Sequence, residues 1–485
     1  MRIMAQPMKV AVLGAGVSGI CAGVYLKRFT EHDFTIFEKA SDIGGTWRDN
    51  IYPGVECDVP SHLYSFSFKL NPEWSHEFPS GAEIHAYLRE VVSEFGLAQH
   101  LRLDSPIRSA SWSEDGWWLT TQAGQEQFFD AVICGLGGLH TPRYPEGIGL
   151  ENFRGPSFHT ARWDHGVELA GKRVGIIGTG ASAVQCAPKV AEIASSLHVF
   201  QRTPIWVGPK RNPQIDPEER ELYRRDFAAL RKKRWDLWRG WETTGLEMVT
   251  PGSVVNQKAE RRAYQHLLNQ VQDDELSQAL TPDYNFTCKR PTISETYYPM
   301  FNRENVELVT EGVRGITTDA AIMEDGRRIE LDVLILATGF KSFDITHEID
   351  ITGVGGVSLG DVWKERISSY RTVMVPQMPN LFILLGPNSA GLTSTYQMIE
   401  AECGFVLRAL EHLREQGGRW LSPTPAETQR FCDDIQQRWA KTTQNKGCVS
   451  WWTDGAGYAH ANWPSSSVDY RLMLQEFVPS HFDVR

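Results

Sequence analysis

A glycine-rich loop near the start of the chain has the residue types and spacing that bind the phosphates of a dinucleotide. In its GxGxxG pattern, Gly14 permits a tight turn, Gly16 lets the backbone approach a pyrophosphate, and Gly19 lets the next helix pack on the sheet. Ser18 lies at the predicted helix N-terminus, whose free N–H groups favour phosphate. The next predicted strand ends in Glu38, 19 residues beyond Gly19. Because an acid there suits a ribose 2′-hydroxyl and repels a 2′-phosphate, this loop predicts FAD, with NAD as the alternative.

A second loop of the same kind follows the predicted strand Arg173–Ile177. Its residues are Gly178, Thr179, Gly180, Ala181, Ser182 and Ala183. Ala183 replaces the third glycine, a form that is common where the bound nucleotide is NADPH. Arg202 and Thr203 follow the next predicted strand, at the place where the first unit has its acid. A guanidinium and a hydroxyl suit a 2′-phosphate, so this loop predicts NADPH, and a solvated surface role is the alternative for Arg202.

The two units predict an α/β fold with two Rossmann-like dinucleotide-binding domains, one for FAD and one for NADP. The segment Asp332–Gly339 resembles the strand and Ala-Thr-Gly element by which two-dinucleotide flavoproteins return to the FAD domain. We therefore expect a split FAD domain at residues 1–148 and 340–485. The NADP domain is expected at 149–210 and 286–339.

A helical insertion is expected at residues 211–285. Its first helix should start at Asp216, because a capping residue, a proline and then two acids follow one another there. The run 220–239 is dense in lysine, arginine and tryptophan. We interpret it as a solvated helix face with its aromatic residues packed inward, and a membrane-surface helix is the alternative.

The segment between the two loops carries a third pattern. Phe153, Gly155, His159, Trp163 and Asp164 give the sequence FxGxxxHxxxW[P/D]. This pattern resembles the fingerprint of type I Baeyer–Villiger monooxygenases, which are class B flavoprotein monooxygenases. In the related enzymes that oxidise nitrogen or sulfur, the tryptophan position usually holds another aromatic residue and the acid or proline is missing. We interpret His159 as a hinge or interdomain residue, because the sequence shows no nucleophile or carboxylate partner for a general base.

A second pattern of that family, GGxWxxxxYPGxxxD, begins at Gly44. It contains Thr46, Trp47 and Asp58. The resemblance implies that this segment contacts the flavin. It implies further flavin contacts from Asp49, Tyr64 and Ile107. After Gly386 a helix is expected to point its N-terminus at the flavin pyrimidine and to favour the anionic reduced flavin.

Two more segments extend the resemblance towards the C-terminus. Lys289 and Arg290 are similar to a Lys-Arg pair of the family whose arginine enters the active site. Lys289 is expected to share the 2′-phosphate with Arg202 and Thr203. Trp451 lies in a stretch that resembles the mobile loop closing over NADP in this family.

The chemistry implied by the resemblance needs a fixed positive charge. Reduced flavin and O₂ give a C4a-peroxyflavin, which attacks a ketone carbonyl while it is anionic and oxidises sulfur or nitrogen once it is protonated. Arg290 suits the anionic case, because a guanidinium stays charged when buried. The resemblance makes Asp58 its candidate partner. The alternatives are that Asp58 only caps a turn and that Arg290 binds only phosphate.

The sequence therefore predicts an NADPH-dependent Baeyer–Villiger monooxygenase that inserts one oxygen atom of O₂ next to a ketone carbonyl and yields an ester or lactone. A flavin monooxygenase that oxidises sulfur or nitrogen is one alternative. A flavin redox sensor without oxygenation is an alternative of another class. The expected partners are a small ketone and O₂.

Composition excludes several other classes. The net charge of −11 argues against non-specific nucleic-acid binding. No apolar run approaches the length that spans a bilayer, so no integral membrane segment is expected. The eight cysteines form no CxxC pair and no zinc-ligand spacing. We expect reduced thiols, no metal and a cytoplasmic location.

Overall fold

The computed structural model describes residues 6–342, 345–445, 447–454 and 456–485. Its framework is a pair of five-stranded parallel sheets. Each sheet contains one of the two strand, glycine loop and helix units that the sequence predicts. The predicted α/β class with two Rossmann-type sheets is confirmed.

The first sheet is built from both ends of the chain. Its order is Leu381–Ile383, Ala131–Cys134, Lys9–Leu13, Asp33–Phe37, Leu101–Arg102. The helix Val17–Phe29 follows the central strand and packs against the long helix Thr395–Glu415. Apolar side chains of the strands and of both helices form one buried core. The C-terminal part of the chain therefore completes the layer around the first glycine loop.

The second sheet surrounds the second glycine loop. Its order is Val306–Val309, Ser196–Phe200, Arg173–Ile177, Val333–Leu336, Ser157–His159. The helix Ala181–Ala191 packs on it. The strand Ser157–His159 belongs to the FxGxxxHxxxW segment, so this segment forms the edge of the second sheet.

Smaller sheets and further helices complete the fold. One four-stranded sheet has the order Asp350–Thr352, Ile107–Trp112, Trp117–Thr121, Glu126–Phe129. A three-stranded antiparallel sheet contains Val313–Ile316, Ala320–Met323, Arg328–Glu330. Two-stranded sheets pair Val207–Gly208 with Thr292–Ile293 and Leu421–Pro423 with Phe482–Val484. Outside the insertion the other helices are Thr46–Asp49, Gly81–Glu94, Tyr297–Met300, Leu359–Trp363, Pro425–Trp439, Ser467–Gln475.

The region between the strands Val207–Gly208 and Thr292–Ile293 is helical. Its helices are Pro217–Arg225, Phe227–Met248, Val254–Gln270, Asp274–Leu280. The predicted start at Asp216 is confirmed, since its side chain accepts the N–H of Glu218. The basic run 220–239 is divided between two helices at Asp226, whose side chain caps the second one.

The insertion is fastened to the first core by the helix Phe227–Met248. Trp238 and Trp241 pack on that core, whereas Trp235 is 55% exposed. Of the two tryptophans within the run 220–239, Trp238 therefore has the predicted inward packing and Trp235 does not, and Trp241 lies just beyond the run. Arg234 is buried and donates to the carbonyl oxygens of His62 and Leu63 at 3.1 and 3.2 Å.

The expectation that every cysteine is reduced is wrong for one pair. Cys288 and Cys448 are joined by a disulfide bond. They are 160 positions apart, so spacing along the chain gives no sign of their contact. The other cysteines are free and buried. Within the described ranges, no helix combines the length and the hydropathy needed to cross a bilayer.

Candidate functional site

The two glycine loops open into one cavity of about 2260 Å³. Most of the residues predicted to bind a nucleotide line this cavity. They are Gly14, Gly16, Ser18, Glu38, Thr46, Trp47, Asp49, Asp58, Tyr64, Ile107, Gly178, Thr179, Gly180, Ala181, Ser182, Arg202, Thr203, Lys289, Arg290 and Trp451. The fold thus brings residues from many separate segments of the chain to one space large enough for two dinucleotides.

The backbone of the first loop fits a dinucleotide pyrophosphate. Gly14 has φ +93°, and a Cβ atom there would lie 2.7 Å from the carbonyl oxygen of Gly135. Gly16 caps the 13-residue helix Val17–Phe29. Its backbone approaches that of Gly45, and a Cβ atom on Gly16 would lie 3.6 Å from the Cα of Gly45. The helix N-terminus therefore opens on the cavity between two glycines, as phosphate binding requires.

Gly19 has a different position from the other residues of the loop. A Cβ atom on Gly19 would lie 1.8 Å from the carbonyl oxygen of Gly14, and Gly19 does not line the cavity. Ala183 of the second loop is likewise buried behind its loop. Both residues let a helix lie close to the strand before it, so their contribution to nucleotide binding is indirect.

Glu38 is buried at the end of the second strand, next to the first loop. Its carboxylate accepts the N–H groups of Ala15 and Ala40 at 2.9 and 3.0 Å. Arg48 donates to it at 2.9 Å and binds Asp49 at 2.8 Å. Burial opposes the charge of Arg48, but the two carboxylates outweigh it and raise the pKa of the guanidinium. Sequence reasoning missed Arg48, although it lies inside the GGxWxxxxYPGxxxD pattern, directly after Trp47.

Aromatic and apolar side chains cover the neighbouring wall of the cavity. Trp47 lies on the short helix Thr46–Asp49 and meets the ring of Tyr64 edge to face at 5.5 Å. Ile107 begins a strand of the four-stranded sheet and is buried. All three side chains line the cavity and give it apolar and aromatic surface, of the kind that suits an aromatic ring system.

Hydroxyl groups lie at the N-terminus of the helix Thr395–Glu415. Thr393 lines the cavity, and in the described part of the chain its buried Oγ1 has no hydrogen-bond partner. The same holds for the buried Oγ of Ser394, the residue that caps the helix. Buried polar atoms without partners are uncommon in folded proteins. Their place at this helix end fits the expected flavin contact.

The second loop repeats the arrangement of the first. Gly178 has φ +111°, and a Cβ atom there would lie 2.4 Å from the carbonyl oxygen of Ala337. Gly180 precedes the helix Ala181–Ala191, and a Cβ atom there would meet open space. The hydroxyl of Thr179 donates to the carbonyl oxygen of Thr203 at 2.8 Å, which ties the loop to the end of the next strand.

Two cations lie together beside this second loop. Burial lowers the pKa of Lys289, and the positive charge of Arg202 lowers it further. The ammonium of Lys289 lies 5.1 Å from the centre of the Tyr284 ring. Placing two like charges near each other is unfavourable unless an anion binds between them. The arrangement suits the 2′-phosphate of NADPH.

Asp58 and Arg290 are in contact across the cavity wall. The Nη2 of Arg290 donates to both carboxylate oxygens of Asp58, at 2.8 and 2.9 Å. The side chains are 50% and 27% exposed for Arg290 and Asp58, and both line the cavity. The charge of Asp58 raises the pKa of Arg290 against the opposing effect of burial. The guanidinium is therefore fixed on one side, and its other N–H groups can reach into the cavity.

His159 lies where the chain passes between the two large sheets. It ends the edge strand Ser157–His159, and its Nδ1 accepts the N–H of Ala161 at 3.1 Å. The ring packs between Tyr144 and Phe340, whose segments are also joined by backbone pairing. Burial lowers the pKa of His159 to about 4, so the ring is neutral at ordinary pH. The setting supports a hinge role.

The rest of that segment has structural contacts. Trp163 is buried in the core of the second sheet and meets Phe158 at 5.1 Å. The side chain of Asp164 accepts the N–H of Gly166 at 2.8 Å and so closes a turn. These fingerprint residues therefore pack and turn the chain where it enters the second sheet.

The Cys288–Cys448 disulfide joins the segment that contains Lys289 to the segment that contains residues 449–454. Cys288 directly precedes Lys289, and Cys448 directly precedes the cavity-lining residues 449–454. Trp451 is stacked on Trp452 at 5.1 Å. The segment that was predicted to close over NADP thus lies at the cavity in this structure.

These loops and this single cavity define a flavoprotein with two dinucleotide sites. A model of the flavin-binding monooxygenase-like family matches residues 7–383. A Baeyer-Villiger monooxygenase of Streptomyces coelicolor is 38% identical over 96% of this chain and 90% of its own. Another, from Pseudomonas aeruginosa, is 37% identical over 99% of this chain and 92% of its own.

Solved structures agree with these relatives. A closed structure of cyclohexanone monooxygenase covers 99% of both chains, with 28% identity and a TM-score of 0.89. A complex of OTEMO with FAD and NADP covers 99% of this chain and 100% of its own, with 26% identity and a TM-score of 0.90. The chain belongs to the flavin-binding monooxygenase-like family and, within it, to the Baeyer–Villiger monooxygenases. It is an NADPH-dependent flavoprotein enzyme whose cofactors are FAD and NADPH.

Proposed function

We propose that this enzyme inserts one oxygen atom of O₂ beside the carbonyl group of a small ketone, and that Asp58 and Arg290 are its catalytic pair. The bidentate contact between these residues carries the proposal. Among solved structures that resemble the chain, one is a cyclohexanone monooxygenase with ε-caprolactone bound, and another is a steroid monooxygenase bound to NADP. A cyclic or polycyclic ketone is the first substrate class to test.

The bound flavin, once reduced by NADPH, supplies the activation of O₂. Arg290 supplies a permanent positive charge beside the place where negative charge develops on oxygen. Such a preorganised charge is worth roughly 2.7–4 kcal/mol in enzymes where it has been removed. Asp58 holds the guanidinium in place and leaves its remaining N–H groups to donate. The positive charge has to belong to a group that keeps its proton, because proton transfer to the activated oxygen would favour attack on sulfur or nitrogen. A guanidinium meets this condition.

The cofactor contacts follow from the two loops. Glu38 is the proposed partner of the FAD ribose, through the carboxylate that Arg48 also contacts. Arg202, Thr203 and Lys289 are the proposed site of the NADPH 2′-phosphate. Trp451 is proposed to cover the nicotinamide nucleotide from the C-terminal side. The other cavity-lining residues of the two loops are proposed to contact phosphate through their backbone.

The domain division at 148, 210, 286 and 340 is also a proposal. The two sheets support it, since each is built only from strands of the segments assigned to it. A cytoplasmic location is proposed as well, supported by the six free thiols, whereas the Cys288–Cys448 disulfide counts against it. Cell fractionation followed by immunodetection tests the location.

The function is tested by supplying the purified holoenzyme with NADPH, O₂ and a panel of linear, cyclic and aryl ketones. A matched set of aryl sulfides is run beside them, and products are identified by mass spectrometry. The proposal predicts an ester or lactone with one added oxygen atom from at least one ketone. Sulfoxides without any ester or lactone would favour the sulfur-oxidising alternative. NADPH oxidation that no compound stimulates would favour the redox sensor.

A further inference from the structure

Lys210 is a buried cation whose partners immediately precede Asp58 in the chain. Its side chain is 6% exposed, and its Nζ lies 2.8 Å from the carboxylate of Glu56. The same ammonium donates to the carbonyl oxygen of Cys57 at 3.1 Å. It also lies 5.1 Å from the centre of the Phe78 ring. Burying an ammonium is costly unless it is paired and hydrogen-bonded, and these three contacts meet that requirement.

Glu56 is held from several sides, which makes it an anchor for the residues that follow. Its carboxylate also accepts from the Nδ2 of Asn212 at 2.9 Å. Its carbonyl oxygen accepts from the Nε2 of Gln185, which lies on the helix Ala181–Ala191, at 2.8 Å. The segment before Asp58 is therefore fastened to the second sheet and to the start of the insertion.

The two cations that hold residues 56–58 come from the same small sheet. The strands Val207–Gly208 and Thr292–Ile293 pair in parallel. Lys210 follows the first of them by two residues, and Arg290 precedes the second by two residues. Residues 56–58 line the cavity, whereas Lys210 does not. The two cations thus flank one small sheet: Arg290 lines the cavity, and Lys210 holds the segment that carries Asp58.

We propose that Lys210 is a positioning residue for Asp58. It fixes Glu56 and the Cys57 carbonyl, and so sets where the Asp58 carboxylate meets Arg290. The proposal rests on the proposed role of the Asp58–Arg290 pair. Without the ammonium, the Glu56 carboxylate loses its counter-ion and the Cys57 carbonyl loses a donor. A displacement of about 1 Å in a reacting constellation can cost roughly 100-fold in rate.

Arg290 directly follows Lys289 of the proposed 2′-phosphate site, and both line the cavity, so the position of Arg290 should also affect how NADPH meets the flavin. The test is therefore the rate of flavin reduction by NADPH without oxygen, measured by stopped flow on the holoenzyme. Lys210→Met keeps the length and apolar stem of the side chain and removes the charge. We expect it to slow reduction by roughly 10–100-fold. Lys210→Arg, which keeps a donor and a charge, should recover at least part of that loss. In an Asp58→Ala background, Lys210→Met should add less than about twofold, because the residue through which it acts is gone.

Arg371→Met is the matched control. Arg371 is also a buried cation, with a side chain that is 9% exposed, and it donates to the backbone carbonyl oxygens of Met473 and Glu476. It does not line the cavity. We expect it to lower the melting temperature while flavin reduction stays within about twofold of wild type. A loss of reduction rate equal to that of Lys210→Met would show a general effect of destabilisation and would overturn the proposal.

Other outcomes separate this proposal from the one on which it rests. If Asp58→Ala slows reduction and Lys210→Met does not, the positioning role is wrong and the catalytic pair stands. The positioning role is also overturned if the double variant, Asp58→Ala with Lys210→Met, loses reduction rate by the product of the two single-variant losses. If Asp58→Ala itself reduces flavin at the wild-type rate, the positioning role is overturned, whereas the catalytic pair is then decided by the ester or lactone yield of Asp58→Ala. If Lys210→Met loses its FAD, Asn212→Ala is tested in its place. This variant removes another hydrogen bond to the Glu56 carboxylate, so it should lower the flavin reduction rate by a smaller factor.

Discussion

Asp58→Asn keeps the size of the side chain and removes its negative charge, so it isolates the effect of charge on Arg290. In the wild type, one guanidinium nitrogen donates to both carboxylate oxygens, at 2.8 and 2.9 Å. The side chain of Asp58 is 27% exposed and that of Arg290 is 50% exposed. For a pair this exposed, the contribution to folding stability is about 0–1 kcal/mol. We therefore expect a change of only a few degrees in melting temperature.

The effect on catalysis should be much larger than the effect on stability. Complete loss of a preorganised charge costs roughly 2.7–4 kcal/mol, which is about 100–1000-fold in rate. Asn still accepts one hydrogen bond from Arg290 but no longer balances its charge. We expect product formation to fall by roughly 10–100-fold, near the loss caused by Asp58→Ala. Asp58→Glu keeps the charge and shifts its position, so it should recover part of the activity.

The assay compares NADPH consumed with ester or lactone formed, for the wild type and the three variants under the same conditions. FAD content and melting temperature are measured on the same preparations. An Asp58→Asn enzyme with wild-type coupling would show that charge pairing is irrelevant. Asp58 would then be only a turn residue after Gly54.

Three further predictions concern the cofactor loops and the disulfide. Arg202→Ala should raise the KM for NADPH by roughly 10–150-fold, the equivalent of about 1.5–3 kcal/mol, and leave the KM for NADH within about twofold; equal kcat/KM for both nucleotides in the wild type would contradict the 2′-phosphate site. Gly14→Ala places a side chain at φ +93° and 2.7 Å from a carbonyl oxygen, so the purified protein should carry less FAD by its absorbance spectrum; full flavin content would refute the tight-turn argument. Cys448→Ser should cost roughly 2–5 kcal/mol of stability and lower the melting temperature. A wild-type melting temperature that is the same with and without a thiol reductant would contradict the Cys288–Cys448 bond.

Short sequence patterns were sufficient to predict the features whose contacts lie within a few residues of one another, such as the glycine loops and the helix caps. Each glycine loop follows a short apolar strand and precedes a helix, and the structure has the strand Lys9–Leu13 before one loop and Arg173–Ile177 before the other. The start of the insertion's first helix at Asp216 was predictable for the same reason, since a cap acts within three residues. The break at Asp226 could also have been found, because an aspartate that caps the next helix marks it.

Contacts between distant segments were not available from spacing. Asp58 and Arg290 are 232 positions apart, and only the resemblance to a known family suggested that they meet. Cys288 and Cys448 have no spacing that marks a cysteine pair, so their bond was missed. Lys210 resembles an ordinary surface lysine in sequence, because its burial depends on three segments that only the fold brings together.

Oxygen insertion beside a ketone carbonyl, as proposed, depends most directly on the positive charge of Arg290. The decisive measurement is the ester or lactone yield per NADPH consumed by Arg290→Ala, with Arg290→Lys as its charge-preserving companion and FAD content as the control for folding. We predict that Arg290→Ala keeps its flavin and forms no detectable ester or lactone, and that Arg290→Lys recovers little, because an ammonium lacks the planar fork of a guanidinium. An Arg290→Ala enzyme that keeps more than half of the wild-type yield would contradict the account.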